Sequence, residues 1–221
     1  MKIGLLGGTF DPVHIGHLNC ANQAACRFGL DTVFFIPTAV PPHKRKGGAP
    51  IADRLAMVKS AIRSNPLFKI SRLEIAPDRP SYTIDTVRRF HKKGGELYYI
   101  MGVDAFSDIY SWRSSGELFS LCNFIVVSRP GTDLRNAATR LVREFRADGI
   151  KLRLEGGQAK NAVEVVMRVV GSQFTVYLCR FTELDVSSTQ IRRMGVAGES
   201  IKYLVPEAVE QYITRRGLYL K

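Results

Sequence analysis

The segment Gly7-Gly8-Thr9-Phe10-Asp11-Pro12-Val13-His14-Ile15-Gly16-His17 constrains this chain more than any other. Residues 2–6, which read as a buried strand, precede it. A helical pattern follows from Ile15 to Phe28, with Leu18, Ala21, Ala25 and Phe28 on one side and Gly29 placed to end it. The segment therefore reads as strand, glycine turn and helix start. Glycines let backbone approach a phosphate, and a helix N-terminus offers N–H groups and the positive end of a dipole. His14 and His17 share one face of a helical turn, and Gly16 between them leaves room for a ligand. Two imidazoles aimed at one spot can donate hydrogen bonds to phosphate oxygens and so stabilise a charged phosphoryl-transfer transition state. A glycine turn with two helix-capping histidines is the plain alternative. The segment is neither a G-x-x-x-x-G-K-[ST] loop nor a G-x-G-x-x-G fingerprint.

The strand–helix pattern recurs downstream. Residues 32–36 read as an apolar strand stopped by Pro37, followed by a Pro/Gly/Lys loop at 41–50 that holds Lys44, Arg45 and Lys46. A helix is expected over 52–64, strand-like sequence over 69–75 and a helix from about 84 to 92. Strands are expected at 97–101, running into Gly102, and at 124–128, closed by Pro130-Gly131. This alternation predicts an α/β, Rossmann-like open parallel sheet with helices on both faces. Ligands bind at the carboxyl ends of the strands in such sheets. Further on, 136–146 reads as helix, 164–170 as strand or helix, Thr175–Cys179 as a late strand and 206–216 as a helix with Pro206 in its first turn. Residues 151–162 carry no clear pattern. The 221 residues, 45% hydrophobic, suit one domain spanning 1–221, with a helical subregion at about 187–221.

A second segment, Ser187-Ser188-Thr189-Gln190-Ile191-Arg192, has capping-box spacing and predicts a helix start. Its hydroxyls and N–H groups would face the same ligand as Arg192, and an arginine can neutralise charge on a leaving pyrophosphate. A helix cap followed by surface arginines is the alternative. Four weaker features each have a plain counterpart. Lys44, in Pro41-Pro42-His43-Lys44, can hold a phosphate or be a solvated loop lysine. Asp104, after Gly102-Val103, can take ribose hydroxyls or cap a helix. Trp112, the only tryptophan, followed by Arg113, can stack on a planar pyridinium or sit in the core. Ser81-Tyr82-Thr83 can offer N–H groups to a carboxylate or serve as an N-cap.

The formal net charge of +12 is scattered in pairs such as Arg88–Arg89 and Arg192–Arg193. It favours an anionic ligand without choosing one. No helix-turn-helix or RNA-binding signature accompanies it, so nucleic acid is not the expected partner. The four cysteines form no C-x-x-C pair, which fits reduced thiols in a cytosol. The apolar run at 3–6 is too short for a signal peptide, and no stretch approaches the roughly 20 apolar residues of a membrane span.

His14-Ile15-Gly16-His17 resembles the tetrapeptide shared by the nucleotidyltransferase superfamily, which includes class I aminoacyl-tRNA synthetases. The flanking Gly-Gly-Thr-Phe-Asp-Pro resembles the pyridine-nucleotide adenylyltransferase branch. Residues 187–192 are similar to that family's second signature, which holds the triphosphate of ATP. Tyr82-Thr83 and Trp112 stand where a Tyr-Thr segment and a tryptophan close on the nicotinate ring in bacterial nicotinate-nucleotide adenylyltransferases. Ser128-Arg129-Pro130-Gly131 matches as well. The resemblance covers about residues 2–131 and 176–219, whereas 132–175 is longer than the pattern and richer in valine and arginine.

This resemblance implies adenylyl transfer from ATP to nicotinate mononucleotide, on the path to NAD. It implies catalytic roles for His14, His17 and Arg192. ATP would lie on Gly7, Gly8, Thr9, Phe10, His17, Gly102 and Asp104, and on Ser187, Ser188, Thr189 and Arg192. The nicotinate nucleotide would lie on Thr9, Lys44, Tyr82, Thr83, Trp112 and Arg113. Mg2+ would accompany ATP without a protein ligand set of its own. The rivals are a sister enzyme acting on nicotinamide mononucleotide or phosphopantetheine, and a non-catalytic nucleotide sensor or nucleic-acid-binding protein. A homo-oligomer is left open.

Overall fold

The computed structural model describes residues 1–38, 48–75, 81–129, 131–147, 149–155, 163–182 and 184–219. Strand β1 (Lys2–Gly8) leads through a turn into α1 (Ile15–Phe28), which Gly29 ends in the left-handed conformation at φ 61. Next come β2 (Thr32–Pro37), α2 (Ile51–Ile62), β3 (Phe68–Ile70), α3 (Thr83–His91) and β4 (Glu96–Gly102). The short helices α4 (Val103–Ser107) and α5 (Ser115–Leu118) precede β5 (Asn123–Val127) and α6 (Leu134–Ala147). The chain continues with β6 (Leu152–Leu154), β7 (Glu164–Val169), β8 (Thr175–Cys179), α7 (Ser188–Ala197) and α8 (Glu207–Arg216).

The strands form one eight-stranded sheet in the order β3-β2-β1-β4-β5-β8-β7-β6. From β3 through β8 neighbours run parallel, as expected of a Rossmann-like fold. The edge departs from the expected parallel sheet. β7 is antiparallel to β8, and β6 to β7. The physical reason is the connection between β7 and β8, a tight turn with Gly171 at φ 82, because so short a link can join only antiparallel strands. These edge strands fall in the stretch that departs from the family pattern.

Alternation along the central strands sends side chains to two cores. Ile3 and Leu5 of β1, with Leu97, Tyr99 and Met101 of β4, pack with Val87, Phe90 and Phe145 of α3 and α6. Leu6, Tyr98 and Ile100 pack on the other face with Ala21, Met57, Ile191 and Val209 of α1, α2, α7 and α8. Burial on both faces explains why these strands read as continuous apolar runs. Several boundaries shift. Gly7 and Gly8 are the last residues of β1, paired with Ile36 and Pro37, not a turn after it. Strand structure in 69–75 is confined to β3, since Ser71 onward turns, Ile75 N–H bonding Arg72 O. Pro206 caps α8 from outside its first turn. Among the described residues no helix is long and apolar enough to cross a membrane.

Candidate active site

A cavity of about 940 Å³ opens at the carboxyl ends of β1, β4 and β5. Gly7, Gly8, Thr9, His14 and His17 line it from the first segment, and Gly102 and Asp104 from the end of β4. Tyr82, Thr83, Trp112 and Arg113 line its far side. The topology thus brings most of the expected residues into one place.

His14 is the N-cap of α1, with extended backbone. Its N–H donates to Nδ1 of His17 at 3.3 Å, which leaves the proton of neutral His17 on Nε2. The two rings lie 3.7 Å apart between centroids. His14 is 7% exposed, and its buried Nδ1 has no hydrogen-bond partner among the described residues. Burial pulls the His14 pKa down to about 4. It is therefore neutral at physiological pH and carries one N–H for a phosphate, not two. Gly16 lines the cavity between the two histidines, and a Cβ there would meet Val186 at 3.0 Å and the His14 ring at 3.1 Å, so only glycine fits this part of the wall.

Phe10 does not line the cavity. Its side chain is 1% exposed and packs against Phe35 and edge-on against His17, at 5.7 and 5.0 Å between centroids. Its ring supports His17 from the core. Asp104 caps no helix, since the N-cap of α4 is Gly102 and no side chain bonds it. Instead Asp104 pairs with Arg129 at 2.6 Å, both residues facing the cavity. Tyr82 is the N-cap of α3 without a side-chain cap bond, and Tyr82 and Thr83 bring the start of that helix to the cavity wall. The Arg113 guanidinium lies 4.7 Å over the Tyr82 ring. Trp112 meets Tyr99 edge-on at 6.3 Å and is half-buried, one side on the core and one on the cavity.

The second segment reaches the first through main-chain carbonyls. Ser187 caps α7 by accepting the Gln190 N–H at 3.2 Å. Ser188 Oγ donates to Pro12 O at 2.9 Å, and Arg192 donates to Asp11 O at 2.7 Å and to Thr189 Oγ1 at 3.3 Å. Ser187, Ser188, Thr189 and Arg192 do not line the large cavity. Thr189 and Arg192 open on a second concavity with Gly48, Arg193 and Tyr219. Lys44 lies outside the described residues, as does Pro130.

Sequence reading missed the supports. Arg54, 4% exposed, donates to Thr9 O at 2.6 Å and Thr38 O at 2.8 Å, clamping together the segments that leave β1 and β2. Its signal was present: Arg54 shares the buried face of α2 with Met57 and Val58. Glu74, 7% exposed on the cavity wall, accepts from Thr38 Oγ1 at 3.0 Å and Thr86 Oγ1 at 2.7 Å. Burial raises its pKa, and the two hydroxyl bonds oppose that rise. Nothing in the local pattern marked it. Among the described residues no group of three or more His, Cys, Asp or Glu converges as a metal site would require.

A Rossmann-like sheet with two imidazoles at its first helix start, facing a deep carboxyl-end cavity, defines a nucleotidyltransferase. Residues 5–194 match the family described as cytidylyltransferase-like. Over 221 residues the chain is 40% identical to a probable nicotinate-nucleotide adenylyltransferase of Desulfatibacillum aliphaticivorans, covering 100% of each. It is 39% identical over 222 residues to that of Geobacter sulfurreducens, covering 99% of this chain and 98% of the relative. The chain belongs to the nicotinate-nucleotide adenylyltransferase family. The fold is shared with Plasmodium falciparum nicotinic acid mononucleotide adenylyltransferase complexed with NaAD, at TM-score 0.72 and 16% identity, over 99% of this chain and 97% of that one.

Proposed function

We propose that this protein transfers the adenylyl group of ATP to nicotinate mononucleotide, giving nicotinate adenine dinucleotide and pyrophosphate in cytosolic NAD biosynthesis. The observation that carries the reading is the convergence of His14, His17, the start of α3 and Trp112 on one cavity. Its volume of about 940 Å³ suits two nucleotides held end to end. The names of the full-length relatives support the same reading.

The magnesium salt of ATP enters with its triphosphate along the His14/His17 turn, towards Arg192. Asp104, held by Arg129, faces the ribose hydroxyls. The mononucleotide lies against Tyr82, Thr83, Trp112 and Arg113, its carboxylate towards the N–H groups of α3. A phosphate oxygen of the mononucleotide attacks the α-phosphorus in line, the bond to the β-phosphate oxygen breaks, and pyrophosphate leaves. No side chain forms a covalent bond. Neutral His14 and His17 each offer one N–H to the developing charge, and Arg192 offsets the charge of the leaving group. Catalysis is positioning and electrostatic stabilisation. The chain acts as one domain, with α7 and α8 packed on the α1 face of the sheet.

The test is pyrophosphate release from ATP with a panel of acceptors and mass-spectrometric product identification. Nicotinate mononucleotide should give the highest kcat/KM and the expected dinucleotide. Preference for nicotinamide mononucleotide or phosphopantetheine would reassign the acceptor. Acceptor-independent ATP binding without turnover would overturn the catalytic reading. So would salt-sensitive nucleic-acid binding alone.

A further inference from the structure

The segment after α8 folds back onto the first motif. Gly217 ends α8 in the left-handed conformation at φ 60, and Tyr219 also has φ 60. The Tyr219 hydroxyl donates to Asp11 Oδ1 at 2.6 Å. The Tyr219 main chain lies directly on Gly195 of α7, where a Cβ would stand 2.6 Å from Tyr219 O. Glycine inside a helix weakens it, yet only glycine admits this carbonyl. Tyr219 is thus seated at two points, one on α7 and one on the turn that precedes α1.

Asp11 is the junction. It is 6% exposed, and its Oδ1 also accepts the Ala49 N–H at 3.0 Å. A Cβ on Gly48 would run into the same carboxylate. Arg192 of α7 donates to Asp11 O at 2.7 Å and stands 3.8 Å from Oδ2. A buried carboxylate holds its place only while such partners satisfy it. Burial and the Asp11 bond push the Tyr219 hydroxyl far above its ordinary range, so it stays a donor at any working pH.

We infer that Tyr219 is a positioning residue for the transfer: through Asp11 and Gly195 it fixes the Arg192 guanidinium relative to the His14/His17 turn. The inference rests on the adenylyl-transfer reading, which gives Arg192 its role on the triphosphate. Tyr219 itself touches no reacting atom. Its loss should therefore act on the ATP side and spare the acceptor side, where Trp112 and Tyr82 stand on other elements.

Steady-state kinetics with ATP and nicotinate mononucleotide varied separately, and calorimetric titration of a non-hydrolysable ATP analogue, test this on wild type, Tyr219→Phe and Gly195→Ala. Tyr219→Phe should raise the ATP KM and the analogue Kd about tenfold and leave the acceptor KM within about twofold. Gly195→Ala, which lifts the Tyr219 main chain instead of removing its hydroxyl, should give the same split. The double variant should be no worse than Gly195→Ala alone. An unchanged analogue Kd in a folded Tyr219→Phe protein would overturn the inference. Equal losses on both substrates would overturn it too, since they mark a general loss of structure. If the wild type turns over no nucleotide, the adenylyl-transfer reading fails, while the analogue titration still decides the role of Tyr219.

Discussion

The Tyr99 hydroxyl stands 2.6 Å from where a Cβ on Gly7 would lie, while the next ring atom, Cζ, would be at an ordinary 3.6 Å. Gly7 is therefore required by one oxygen on the neighbouring strand, not by an unusual backbone angle. That oxygen lies 3.5 Å from Thr83 Oγ1, at the start of α3. Gly7→Ala must push Tyr99 towards Thr83 or bend the end of β1, and either disturbs the cavity wall. We expect kcat/KM to fall on the order of tenfold or more, by about 1.4 kcal/mol per decade. Adding Tyr99→Phe should recover most of the loss. A double variant no better than Gly7→Ala would show that the hydroxyl contact is not the cause.

His14 sets a pH dependence of stability. Burial holds it at about 4, against an ordinary value of 6.5. Between those values the unfolded chain takes up a proton that the folded chain refuses. Stability is thus full above the ordinary value and falls as pH drops towards about 4, by on the order of 3 kcal/mol. The Tm should fall on acidification from about pH 7 to 5, and the fall should shrink in His14→Asn. Parallel pH–Tm curves for the two proteins would remove the buried imidazole as the cause.

What could be read in the chain beforehand followed contact range. The β1–turn–α1 unit is local: Gly29 caps α1, and the three-residue spacing of His14 and His17 places both rings together. Ser187 as the cap of α7 is equally local. The clamp that joins these units is not. Arg192 meets Asp11 across 181 residues and Tyr219 meets it across 208, so no window contains both partners. The sheet edge was hidden for another reason. β6 has three residues, too few to show a period, and the valine-rich β7 fits either helix or strand until its antiparallel partner is known. Gly16 on the cavity wall is local as well, whereas Val186, which a Cβ there would meet, is distant in sequence.

In the proposed reaction Trp112 belongs to the acceptor side alone. One side of its ring is on the core against Tyr99 and the other faces the cavity. His14 and His17 come from a different element, the start of α1. Trp112→Ala should therefore raise the acceptor KM about tenfold, the worth of one aromatic stacking contact, and leave the ATP KM within about twofold. Substrate-saturation curves measured pairwise give this split directly. A proportional rise in both constants would place Trp112 in the framework instead of on the acceptor.

Glu74 joins the end of β2 to α3, since its carboxylate takes the hydroxyls of Thr38 and Thr86 together. Thr86 is 2% exposed, so removing the acceptor strands a buried donor. Glu74→Ala should cost about 2–4 kcal/mol, seen as a lower denaturation midpoint, and Glu74→Gln less, since its amide oxygen still accepts. The pH dependence runs opposite to that of His14. Burial raises the Glu74 pKa, so in the window above the ordinary carboxyl value the folded chain keeps a proton that the unfolded chain has released. That contribution is present at low pH and is lost as pH rises through the folded value. The Tm of wild type relative to Glu74→Gln should therefore decline as pH rises above the ordinary carboxyl value, because the glutamine has no charge to bury. A gap that stays constant over that range would mean the carboxylate is already ionised at its lower end. The two threonine hydroxyls would then outweigh the desolvation that surrounds them.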